Sequence, residues 1–306
     1  MSRLAASVLV GLTGALTLGA PALAQQGAAD AGDDIVVTGR VEAPLTTTEV
    51  TRQARAITAP TAIRHLPLPR FEDRLCPGVF GMKGEYAALM IDRLRDNAAK
   101  LDLWLTEDDG TCRPNFIVAF VDDGQAALAQ IERNQSWLMQ GLTTANRREL
   151  LAEDGPVRVW TTTQTRTRDG LPVPRRETLD NPPSVNMWMA HSKIYLATRE
   201  DITQVIVLFD KKYIYGKTIV QLADYATMRG LARTRPVDGD GQAMDTILAL
   251  FDPDASPPLE MTQFDRAYLG AVYDSIPNIP GITKVLGVNR QLRRQAEAEQ
   301  AAEVSE

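Results

Sequence analysis

Few side chains among these 306 residues are suited to chemistry, and most stand where chemistry is difficult. The histidines are His65, in a proline-flanked stretch, and His191, alone between Ala190 and Ser192. A Ser–His–Asp hydrolase would need His191 as its base, yet no G-x-S-x-G elbow carries a nucleophile. There is no Walker loop, and no G-x-G-x-x-G follows a strand. A zinc site built on imidazoles would have to use both histidines. Acidic residues are numerous, but nothing in their spacing pairs two of them for glycoside chemistry. The expectation is a chain without cofactor or metal, and the balance leans away from an enzyme.

Cys76 and Cys112 are the only cysteines. An even pair without C-x-x-C spacing or a neighbouring histidine predicts one structural disulfide in an oxidising compartment. Closing a loop of this length stabilises by roughly 3.5–4 kcal/mol in the chain-entropy model. Asp122-Asp123-Gly124 lies between an expected strand at 115–121 and an expected helix at 125–134. Such a corner can cradle a cation or a phosphate at the helix N-terminus. Acids repel phosphate and make good N-caps, so capping is the expected role. Asp238-Gly239-Asp240-Gly241 lacks the full ligand set of a calcium loop and is expected to be a turn.

The element that would organise these groups runs from 204 to 232. Val205, Ile206, Val207, Leu208 and Phe209 form a continuous apolar run, as a strand covered on both faces should. After a charged turn, Ile219, Leu222, Ala223, Ala226 and Gly230 make one helical stripe. Val220, Tyr225, Met228 and Leu231 extend the apolar surface round the rest of that helix, which predicts a central position. Around this unit the pattern predicts a helix within 85–105, with Tyr86, Met90, Ile91, Leu94, Ala98 and Leu101 inward and Arg93 facing solvent. A helix or helix pair follows at 137–151, then a half-exposed Thr-rich strand at 157–166, a loop at 169–183 and a strand at 187–196. A short helix is expected at 244–251. Thr262 and Asp265 form a capping box for a helix that buries Phe264, Tyr268, Leu269 and Val272. Strands and helices in this order predict an α+β fold with a mixed sheet packed against helices.

The strand-then-helix unit resembles the active-site helix of zincin metallopeptidases, whose signature H-E-x-x-H is followed by an apolar residue and then Gly-Leu. Laying Gly230-Leu231 on that Gly-Leu places Ala223 on the first histidine, Asp224 on the glutamate and Thr227 on the second histidine. The helix from Thr262 onward is similar to the closing helix found after the zinc site in some zincin-like bacterial proteins. What the resemblance implies is a degenerate domain that has lost its zinc ligands and keeps a remnant cleft beside Asp224. The alternative is an ordinary core helix with one solvated aspartate.

The N-terminal residues carry a second resemblance. Residues 1–24 read as a secretory signal peptide, with Arg3, an apolar stretch and Ala22-Leu23-Ala24 before Gln25. The stretch 25–68 is poor in aromatics and is expected to be a mobile arm. Within 33–40, Asp34, Ile35, Val36, Val37, Thr38 and Gly39 form a β-branched run able to add to an exposed sheet edge. It resembles the TonB box of TonB-dependent outer-membrane receptors. The barrel of such receptors needs far more chain than this. The resemblance implies TonB, or another cell-envelope protein, as partner; the alternative is a run that folds back on the domain. One α+β domain is expected at 69–285, followed by a charged helical or frayed tail at 286–306.

The formal charge of −6 argues against nucleic acid or an anionic membrane as partner. No later stretch is apolar over the 18 or so residues that an integral membrane span needs. These features predict an exported, non-catalytic periplasmic protein whose N-terminal arm engages an envelope partner. The competing expectation is a periplasmic hydrolase, peptidase-like or carboxylate-based.

Overall fold

The computed structural model describes residues 46–59, 62–107, 110–174, 186–187, 191–237 and 244–305. The signal segment, the 33–40 run and the 238–241 turn lie outside the described residues. The fold is α+β, as the strand and helix order predicts. Four strands, β1 (Pro77–Phe80), β2 (Phe116–Val121), β3 (Val157–Thr167) and β4 (Thr198–Asp210), form one sheet in the order β1-β2-β4-β3. The first three in that order are parallel, and β3 runs antiparallel along the outer edge of β4.

Side-chain alternation divides the sheet into two faces. Phe116, Val118 and Phe120 of β2, with Val205, Val207 and Phe209 of β4, enter the main core. Ile206 and Leu208 point the other way, into a smaller cluster with Leu128, Met139, Leu150 and Trp160. Both faces of β4 are therefore covered, which is why its sequence does not alternate. The smaller cluster is roofed by α3 (Gly124–Asn134) and α4 (Thr144–Ala152). At the corner before α3, Asp123 accepts hydrogen bonds from the N–H groups of Gln125 and Ala126, both at 2.9 Å. It is an N-cap.

The main core lies under the other face and is built round α5 (Ile219–Leu231). A capping box between Thr218 and Gln221 opens this helix, and every residue from Gln221 to Leu231 is buried. α2 (Gly84–Ala99) and α6 (Gln263–Tyr273) pack beside it, and Thr262 and Asp265 form the expected capping box of α6. Cys76 and Cys112 are joined at 2.01 Å, tying the start of β1 to the approach to β2. No helix among the described residues is long and apolar enough to cross a membrane.

Three expectations require correction. The packed body begins before residue 69, because α1 (Thr47–Ile57) lies inside the stretch assigned to a mobile arm. Val50, Ala54 and Ile57 make a helical stripe that enters the core, though polar neighbours dilute it in the sequence. The tail from 286 is helical, one of its two expected forms, but the boundary before it falls inside one helix, α7 (Gly281–Ser305), which packs on α6 and α1. No strand forms over the described part of 187–196. The Ser192 hydroxyl there accepts from the N–H groups of Ile194 and Tyr195, a local turn that competes with strand pairing. The strand starts instead at Thr198, and its charged first residues hid it.

Gly230 sets how closely α5 approaches the sheet. A Cβ built there would stand 2.6 Å from the Phe116 ring and 3.4 Å from Val205. Helix propensity alone would make Gly230→Ala stabilising by about 1 kcal/mol. Overpacking should outweigh it, for a net loss of about 1–3 kcal/mol in urea denaturation. A more stable variant would show that the interface can yield.

Candidate functional site

The three α5 residues that fall on the zincin signature are all buried. Ala223 offers no ligand atom. The Thr227 hydroxyl donates to the carbonyl of Ala223 at 2.8 Å and accepts from Asn97 Nδ2 at 3.0 Å. Asp224 is not the solvated aspartate expected of an ordinary core helix; its side chain is fully buried. Arg93 of α2 grips it with two hydrogen bonds, Nε to Oδ1 at 2.8 Å and Nη2 to Oδ2 at 2.7 Å. Asn97 Nδ2 adds a bond to Oδ1 at 2.8 Å, and the Met261 N–H one to Oδ2 at 2.8 Å. Both oxygens are thus committed, and the carboxylate has no free edge with which to activate water. Zinc chemistry needs two imidazoles one turn apart and an open carboxylate. This donor set does not fit it. Among the described residues no group of three or more His, Cys, Asp or Glu is placed to hold a metal ion.

The clamp joins three parts of the fold. Arg93 also reaches Glu260 at 3.0 Å, so α2 is held to α5 and to the segment that leads into α6. The hydrogen bond to Asp224 raises the Arg93 pKa and keeps the guanidinium charged. A bidentate, hydrogen-bonded pair is the geometry in which a buried carboxylate can be tolerated.

Beside the clamp opens a cleft of about 1150 Å³, bounded by α2, α6, α7 and the segments at 70–73 and 101–104. Arg93, Asn97, Glu260 and Met261 line it, with Trp104 at the mouth. It is not the strand-edge groove that a remnant peptidase cleft would offer, since none of its lining residues comes from β3 or β4. Behind it, Arg70 Nη1 donates to the carbonyls of Val272, Tyr273 and Ser275 and so caps the end of α6. Arg70 Nε bonds Glu72. Lys284 of α7 is buried there too, and its Nζ donates to the Val272 carbonyl at 2.9 Å. Burial, reinforced by the Arg70 charge, pushes the Lys284 pKa down to about 7.

Neither histidine joins this site: His65 and His191 are both exposed, and neither lines the cleft. The residues that sequence reasoning missed are Arg93, Asn97 and Trp104. Arg93 and Asn97 lie one turn apart, each next to a core residue of α2, Leu94 and Ala98. Polar side chains bordering an apolar stripe were the available signal. Comparison of the chain with protein-family models, with curated proteins and with solved structures gives no match.

Two outcomes are expected. Asp224→Ala leaves Arg93 and the Met261 N–H without their partner and should cost about 3–5 kcal/mol in urea denaturation. In an Arg93→Met background the same change should cost clearly less; equal costs would show that the pair is not coupled. Lys284, whose folded pKa lies below its unfolded value, gives a sloping pH dependence. Between about pH 7 and 10 the unfolded chain binds more protons, so stability should rise with pH across that window. Lys284→Met should flatten the slope, read from denaturation midpoints at pH 7 and 9.5. A parallel slope in the variant would assign it to other groups.

Proposed function

We propose that this chain is an exported, non-catalytic interaction protein of the cell envelope. Its N-terminal run Asp34–Gly39 adds as a strand to the sheet edge of a partner, and the periplasmic domain of TonB is the named candidate. The observation that carries the non-catalytic part is the closed site on α5. Ala223, Asp224 and Thr227 are buried, and the one carboxylate among them is spent on Arg93. The same clamp weighs against a peptidase-like hydrolase, because a water-activating carboxylate needs an oxygen facing substrate. Support for the arm comes from its residue pattern and from the physics of β-augmentation. Main-chain hydrogen bonds supply affinity, and alternate side chains supply choice of partner.

The test uses the chain beginning at Gln25, with and without residues Asp33–Arg40, titrated against the purified C-terminal domain of TonB. Binding that disappears with the deletion supports the proposal. Equal binding by both forms would move the contact to the folded body, and no binding by either would remove TonB as partner.

A further inference from the structure

The cleft beside the Arg93–Asp224 clamp is walled by charge, yet its cations are already occupied. Arg93 is held by Asp224 and Glu260, Arg70 by Glu72 and three carbonyls, and Arg266 by the Met261 carbonyl at 2.5 Å. Lys100 is paired with Asp96 at 2.7 Å. An anion entering this space would find no uncommitted cation among its lining residues.

Two acceptors in the lining are in the opposite state. Asn97 is 1 % exposed and lines the cleft. Its Nδ2 hydrogens go to Asp224 and Thr227, which fixes the amide orientation and leaves Oδ1 as a buried acceptor with no partner. Asp102 lines the same cleft, is exposed, and has no side-chain partner among the described residues. Trp104 is 70 % exposed, an unusual state for so large an aromatic side chain. Arg74 already stands 5.7 Å from its ring centroid, so the ring is a working cation platform with surface to spare.

We infer that the cleft binds an aliphatic cation, a primary ammonium on a flexible stem, through Trp104, Asp102 and Asn97. The stem packs on the indole, the charge is met by the carboxylate, and the unpartnered Asn97 Oδ1, buried in the cleft wall, takes a donor from the ligand. Two sources carry this chemistry, the lysine side chain of a peptide and a free polyamine. The site is independent of the Asp34–Gly39 run and of any partner that run engages.

Calorimetric titration of the full mature chain at low ionic strength tests it, with three probes: acetyl-Gly-Lys-Gly-Lys-Gly-amide, its glutamate counterpart, and spermidine. The lysine peptide or spermidine should bind and the glutamate peptide should not; which of the two binds identifies the source. Trp104→Ala combined with Asp102→Asn should weaken binding about tenfold. Both residues are exposed, so the variant should keep the near-UV circular dichroism of the core. Trp137→Ala, at an exposed tryptophan outside the cleft, should bind as the parent does. Binding of neither cation at millimolar concentration would overturn the inference. So would equal binding of the glutamate peptide, or an unchanged affinity in the double variant.

Discussion

A helix buried on every side must satisfy its polar side chains inside the protein, and α5 carries an ionisable one at its centre. The Asp224 carboxylate dictates its surroundings. It needs a charged, bidentate donor, which fixes the position of Arg93 and hence the rotation of α2. It needs further donors on the remaining lone pairs, which fixes Asn97 and the backbone at Met261. Gly230, at the other end of the helix, lets the sheet come close enough for Phe116 to cover it. Helix, sheet and the entry to α6 are located by these few contacts.

The same requirement recurs elsewhere in the core. Asp265 is fully buried and serves as more than a cap for its own helix. It accepts from the Thr246 hydroxyl at 2.5 Å and from the Ile247 N–H at 2.8 Å, so it also fastens the short 3-10 turn Ile247–Phe251. Burial pushes its pKa up to about 6 despite these donors. At the far end of the sheet Asp201 is buried between Arg199 at 2.9 Å and Arg166 at 3.3 Å. Such pairs contribute little net stability against apolar replacements, but their directional bonds admit few alternative packings. They explain how a strand as polar as the start of β4 can sit in the sheet at all.

That point also marks the limit of what was legible in the residues. Elements defined by apolar periodicity could be read: the interior half of β4, all of α5, β2, β3 and the capped start of α6. The disulfide followed from two cysteines and simple parity. Elements held by polar contacts could not be read. The start of β4 could not be assigned to any element, because its charges find partners only in the folded state. α1 looked like part of an arm because its stripe is short and surrounded by Thr, Arg and Gln. At the site, Asp224 stood out as the odd residue in an apolar helix, but its environment did not. Arg93 has the ordinary look of a solvated helix position, and only the packing of α2 on α5 turns it inward.

Arg93 connects the interior to the cleft, and this gives the site a property that neither part has alone. One nitrogen, Nη2, bonds both Asp224 Oδ2 at 2.7 Å and Glu260 Oε2 at 3.0 Å. Asp224 is sealed from solvent, whereas the Glu260 side chain is 57 % exposed in the cleft wall. A cation met by Asp102 leaves Arg93 uncontested, and one that also drew on Glu260 would compete only for the outer of these two bonds. The inner one is shielded and bidentate, and so is the stronger of the two. A ligand of this charge therefore leaves the α2–α5 clamp intact. An anionic ligand would instead pull Arg93 outward and expose the cost of an unpaired carboxylate in the core. The clamp that occupies both Asp224 oxygens thus also bears on the inferred ligand, because a cation, unlike an anion, does not compete with Asp224 for Arg93.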